Sequence, residues 1–81
     1  MTIQVQLFAS LRDAAGIEAC QLDLAPGACG LDARALLLQR HQRLAGLVSS
    51  ARLAINWEYR PWETPLHDGD ELGLIPPVSG G

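Results

Sequence analysis

Residues 31–42 read LDARALLLQRHQ, and the rest of the chain takes its meaning from them. Leu31, Ala35 and Leu38 recur at i, i+4 and i+7, and Leu37 and Leu44 widen that stripe, which is the period of an amphipathic helix. Asp32 suits the positive end of the helix dipole, and Arg40, His41 and Arg43 suit the negative end. No other stretch has a comparable helical period. The apolar residues on either side alternate instead, so one main helix must cover one face of a small sheet.

Before the helix, TIQVQLFA (residues 2–9) puts Ile3, Val5 and Leu7 on one face and Gln4 and Gln6 on the other, the pattern of a half-buried strand. Phe8 falls on the glutamine face. SLRDAAG follows as a short helical turn with Gly16 placed to end it. EACQLDL (18–24) alternates again, with Cys20, Leu22 and Leu24 inward. The short gap predicts an antiparallel hairpin, closed off by Pro26-Gly27.

After the helix, RLAIN (52–56) is a third strand, Asn56-Trp57-Glu58 a tight turn, and Tyr59-Arg60 a short edge strand that Pro61 closes. HDGDE (67–71) is a turn. ELGLIP is the last strand, with Leu72 and Leu74 inward and Glu71, Gly73 and Ile75 outward. The passage through the helix is long enough for a crossover between parallel strands. The predicted fold is α+β, a ubiquitin-like β-grasp. Residues 1–75 are expected to form the domain and 76–81 a flexible tail.

Composition narrows the function. Eighty-one residues with 48% hydrophobic and 19% charged side chains describe one soluble domain with a modest core. The net charge is −3 and all six basic residues are arginine. No basic patch stands out, so no nucleic-acid partner is expected. The start, MTIQVQLFASLRD, lacks a basic lead, and the longest apolar run, Ala35 to Leu38, is too short to cross a bilayer. The expected setting is the cytoplasm, without a membrane, where Cys20 and Cys29 stay reduced. Cys20 reads as a small buried hydrophobe.

No catalytic constellation appears. Ser10, Ser49, Ser50 and Ser79 lack a nucleophile motif, and His41 and His67 are isolated. Asp68, Asp70 and Glu71 lack the spacing of a calcium loop, and no metal site is expected. What remains is the end, PPVSGG (76–81). At average glycine usage a terminal pair arises by chance in about 0.5% of chains, and at this chain's higher glycine content in about 1%, so a frayed end is the weaker reading. A terminal carboxylate becomes an electrophile once ATP converts it to an acyl-adenylate, which a sulfur donor can attack. Glycine lacks a Cβ and suits a narrow channel, while Pro76-Pro77 holds the tail extended. Phe8 and Ile75 are apolar residues in outward phases of strands that a β-grasp sheet makes neighbours, a pattern of partner surfaces. Tyr59 is a candidate extension of that patch, and Trp62 reads as a lid on the core.

QLFASLRDAAG, the AIN turn, PLHDGDELGLIPP and the final PPVSGG together resemble the small sulfur-carrying subunits of molybdopterin synthase, from end to end. The resemblance implies that Gly81 carries a thiocarboxylate and that Gly80 threads beside it. It implies no bound cofactor. An adenylyltransferase of the ubiquitin-activating type would use ATP and magnesium on Gly81, and a sulfur donor protein would supply the sulfur. The large synthase subunit would accept the tail in a heterotetramer, where sulfur passes to cyclic pyranopterin monophosphate to build the molybdopterin dithiolene. Phe8, Arg12, Ile75, Pro76, Pro77, Val78 and Ser79 match partner-contact positions or a recurrent basic position of the family. Trp57 stands where the family has a small or polar residue, and Tyr59 where it has an aliphatic one. By this resemblance the chain is not an enzyme on its own. Three other readings stay open: a sulfur carrier of thiamine or cysteine synthesis, a ubiquitin-like modifier of protein lysines, and a plain interaction domain.

Overall fold

The computed structural model describes residues 1–77. The elements are β1 (Thr2–Leu7), α1 (Ala9–Ala15), β2 (Ala19–Asp23), α2 (Gly30–Arg40), β3 (Arg52–Ile55), β4 (Glu58–Arg60) and β5 (Glu71–Ile75). Two 3-10 turns, Gln42–Leu44 and Val48–Ser50, lie between α2 and β3. The sheet order is β2-β1-β5-β3-β4. β1 runs antiparallel to β2 and parallel to β5, and β3 runs antiparallel to both β5 and β4. This is the expected mixed β-grasp sheet.

The alternation read from the sequence sorts the two faces. Ile3, Val5, Leu7, Leu22, Leu53, Ile55, Leu72 and Leu74 are buried on one face. Leu11 of α1, Ala33 and Leu37 of α2, and Leu44 and Val48 of the 3-10 turns close over them. Each fully buried aliphatic side chain contributes about 1.5–3 kcal/mol. No polar side chain is buried among the described residues, so this core carries no desolvation cost for polar groups. Cys20 differs from its reading as a buried residue: β2 is the outer strand beside β1, and the thiol is only half-covered.

Helix α2 forms where predicted but with a different phase. Its buried residues are Gly30, Ala33 and Leu37, whereas Leu31 and Leu38 are half-buried and Ala35 is exposed. The cause is the helix start. A Cβ on Gly30 would stand 2.6 Å from the Trp62 carbonyl oxygen and 2.6 Å from a Leu53 methyl. The Leu31 N–H donates to the Trp62 carbonyl at 2.9 Å, and the Gly30 N–H to that of Thr64 at 3.2 Å. Gly30 therefore faces inward, and the helical period carries Ala33 and Leu37 in with it. Cys29 occupies the N-cap, and its N–H donates to the Asp32 carboxylate at 2.8 Å in a capping box. The helix ends at Arg40, one turn of 3-10 helix then burying Leu44. The shorter α1 stops at Gly16, whose φ of 75° lets its N–H reach the Arg12 carbonyl.

Gly30→Ala forces a methyl group against a backbone carbonyl, and chemical denaturation should report a loss of about 2 kcal/mol. An unchanged midpoint would mean that α2 is free to lift off the 61–65 segment.

Candidate functional site

The face of the sheet opposite α2 has no cover among the described residues. Gln6 pairs with Gly73, Gly73 with Ala54, and Ala54 with Tyr59, which sets one row across four strands on that face. The small residues Gly73 and Ala54 make its floor low. Phe8 and Ile75 stand at the adjacent ends of β1 and β5 and, with Gln6, Ala54, Trp57 and Gly73, line a shallow hollow of about 50 Å³. Phe8 is 37% exposed. Its ring lies over Gly73, where a Cβ would stand 3.4 Å from Phe8 Cε2. Phe8 keeps extended backbone angles, so the strand alternation continues through it and holds it on the glutamine side. Its carbonyl accepts the Leu11 N–H at 3.1 Å, which ties the residue to the start of α1.

Trp57 enters this hollow from the β3–β4 turn. Ile55 pairs with Glu58, leaving a two-residue loop in which Asn56 has φ 50° and Trp57 φ 71°. Two positive angles are the signature of a type I′ hairpin. Asn56 tolerates this region and also anchors the turn: its amide donates to Asp70 Oδ1 at 3.0 Å and accepts the Glu71 N–H at 3.1 Å. Trp57 sits where glycine is preferred, at a cost of about 1–2 kcal/mol, and is 78% exposed. The sequence places Trp57 in a tight turn and marks it as a departure from the family, but does not place it in the apolar hollow. The signal was a bulky residue in the second position of a two-residue hairpin.

The other candidates separate. Tyr59 shares the open row but borders a second groove, beneath the Arg52 guanidinium. Arg12 lies apart, bordering a depression with Gly16, Ile17 and Glu18, its Nε 3.9 Å from Asp13. Pro76 is half-buried and Pro77 exposed. Val78, Ser79, Gly80 and Gly81 lie outside the described residues. Trp62 is the expected lid, packed on the core with its indole N–H donating to the Ala51 carbonyl at 3.3 Å.

The acidic stretch is structural. Asp68 Oδ1 accepts the Thr2 N–H at 2.7 Å, Asp70 Oδ2 accepts the His67 N–H at 2.8 Å, and Gly69 at φ 86° turns the chain. The described residues hold no cluster of three or more metal-ligating side chains. Burial pushes the Cys20 thiol pKa up, with the Arg40 charge opposing, so this thiol stays protonated and a poor nucleophile near neutral pH. No described helix is long and apolar enough to cross a membrane. Among its described residues the face displays apolar surface from Phe8, Ala54, Trp57 and Ile75 and no cluster of metal-ligating side chains.

Comparison with known proteins finds similarity along nearly the whole chain. The model of the ThiS family matches residues 5–81. The molybdopterin synthase sulfur carrier subunit of Chlamydomonas reinhardtii is 39% identical over 83 residues, covering 100% of both chains. The crystal structure of SAMP1 from Haloferax volcanii superposes with a TM-score of 0.92 at 30% identity, covering 100% of each chain. A protein–protein complex of subunits 1 and 2 of the molybdopterin-converting factor from Helicobacter pylori includes a chain that superposes at 0.73 with 28% identity, again over 100% of each.

Trp57→Gly creates an Asn-Gly hairpin and should raise unfolding stability by about 1 kcal/mol. A loss in thermal or denaturant unfolding would show that the indole's packing in the hollow outweighs its backbone strain.

Proposed function

The chain belongs to the ThiS family, and on that premise we infer that it is the sulfur carrier subunit of a molybdopterin synthase and not an enzyme by itself. The observation that carries the reading is the parallel pairing of β1 with β5. It brings Phe8 and Ile75 to one hollow at the point where Pro76 leads the chain out of the sheet. A docking surface and the root of a Gly-Gly tail are thus adjacent.

The chemistry belongs to Gly81. In an adenylyltransferase of the ubiquitin-activating type, its carboxylate attacks the α-phosphate of magnesium-bound ATP, releasing pyrophosphate and forming an acyl-adenylate. Hydrosulfide delivered by a sulfur donor protein then attacks the acyl carbon, the acyl–oxygen bond to AMP breaks, AMP leaves with that oxygen, and the terminus remains as a thiocarboxylate. The chain has no lysine, so the activated acyl group meets no side-chain amine of its own chain. Pro76 and Pro77 hold the tail extended. In the sequence Val78 and Ser79 separate these prolines from Gly80 and Gly81, whose lack of a Cβ suits a narrow channel. The large subunit of the synthase takes the tail while Phe8 and Ile75 pack against it in a heterotetramer. Sulfur passes to cyclic pyranopterin monophosphate, and two such transfers build the dithiolene.

A second use is favoured by the close superposition on SAMP1, the small archaeal modifier protein 1. The same adenylate attacked by a lysine amine of another protein gives an isopeptide. Both uses need Gly81.

Incubation with ATP, magnesium, an adenylyltransferase active on another carrier and a sulfide source should replace one oxygen by sulfur. An intact-mass spectrum should place that change in the C-terminal fragment, and a chain lacking Gly81 should show none. An unchanged mass would refute the carrier reading. Separately, Phe8→Asp should weaken binding to the large subunit by at least about tenfold while the melting transition persists. Equal affinity would remove Phe8 from the interface.

A further inference from the structure

The carrier reading leaves one strongly featured surface unused. At the β4 edge of the sheet, Arg52, Tyr59, Arg60, Pro61 and Trp62 border a groove of about 410 Å³. The guanidinium carbon of Arg52 lies 4.5 Å from the centre of the Tyr59 ring, and that of Arg34, on α2, lies 4.8 Å from the centre of the Trp62 ring. Two of the six arginines of a chain with net charge −3, Arg52 and Arg60, thus line the groove, and a third, Arg34, stacks on the Trp62 ring at its border. Arg60 is paired with Glu58 at 2.7 Å. Among the described residues, neither Arg34 nor Arg52 has a carboxylate within 4 Å.

Two features make these cations ready to bind. Stacking on an aromatic face fixes the plane of a guanidinium and leaves its N–H edge free, so little freedom is lost when a carboxylate pairs with it in bidentate fashion. The rings are themselves held. The Trp62 indole donates to the Ala51 carbonyl, and the Trp62 backbone carbonyl accepts from Leu31 at the start of α2. Tyr59 stands opposite Ala54 in the β3–β4 ladder. Arg52 pairs with Ile75, the last residue of β5, so the groove lies near the point where Pro76 leaves the sheet.

We propose that this arginine–aromatic groove docks an acidic segment of the large synthase subunit, whose carboxylates pair with Arg34 and Arg52. The proposal rests on the carrier reading and adds to it a charged contact beside the apolar one. Contacts of this type steer association and are felt mostly in the on-rate, with a strong dependence on salt.

The test is stopped-flow association of the full chain with the large subunit of the same organism, at low and high salt. Arg34→Gln/Arg52→Gln should slow association by about tenfold at low salt, with the gap closing at high salt. Arg52→Lys, which keeps the charge and loses the planar fork, should fall between. Circular dichroism should show the variants folded. An unchanged on-rate and salt slope, in a chain whose Phe8→Asp variant does lose affinity, would overturn the groove and leave the carrier reading standing. Failure of the wild-type chain to bind would overturn both. A labelled single-stranded oligonucleotide is the control polyanion. Arginine-dependent binding of it, with association to the large subunit unaltered, would assign the groove to nucleic acid and overturn the proposal.

Discussion

The parallel pairing of β1 with β5 is the constraint on which the rest of the molecule depends. Gln4 to Leu7 lie against Glu71 to Leu74 in the middle of the sheet. Parallel neighbours cannot be joined by a tight turn, so everything between them serves as the connection. The connection is productive. β2 extends one side of the sheet, α2 covers one face, and β3 with β4 completes the other side. Because both strands run the same way, they end together, and Phe8 and Ile75 come out at the same place. The chain leaves the sheet from its most enclosed strand, with Leu72 and Leu74 buried just before it departs.

The two faces of the sheet divide the work. One is sealed by aliphatic side chains and by a helix whose first residue must be glycine. The other is shaped for display. Gly73 and Ala54 keep its floor low, Phe8 stands over Gly73, and Trp57 is held in an unfavourable backbone region at the edge of the hollow. Polar groups that look reactive in the sequence are occupied in turns: Asp68 and Asp70 accept backbone N–H groups, and Asn56 ties the β3–β4 hairpin to the start of β5. Strain and exposed apolar surface tend to gather where function requires them. Here both fall on the same face: the apolar pair Phe8 and Ile75 at the root of the tail, and the strained Trp57 across the hollow, beside the start of β5.

Much of the fold was legible because its strands alternate cleanly. Ile3, Val5 and Leu7 against Gln4 and Gln6 could be read directly, as could Leu72 and Leu74 near the end, and Gly16 as the stop of α1. The phase of α2 was not legible. It depends on how close Gly30 comes to the Trp62 carbonyl, a tertiary contact with no local signature, and the spacing of Leu31, Ala35 and Leu38 suggested a different centre for the stripe, of which Leu37 and Leu44 are buried. The site was half legible. Phe8 and Ile75 broke the polar phase of their strands and could be noticed for that reason. Trp57 gave no such break, since only the turn type explains its position. The Arg34–Trp62 and Arg52–Tyr59 stacks join elements that the sequence does not show to be neighbours. The Gly-Gly end, by contrast, was legible only in the sequence.

The account's central claim is that the open face around β1 and β5 is the docking face at the root of the tail. Its most direct test is a backbone and indole chemical-shift map of the isotopically labelled chain titrated with the large subunit. The account predicts that signals of Phe8, Ala54, Trp57, Gly73 and Ile75 shift or broaden together, while exposed positions of α2 far from the groove, such as Ala35 and Gln39, stay in place. A footprint confined to the outer surface of α2, with Phe8, Gly73 and Ile75 unmoved, would contradict it.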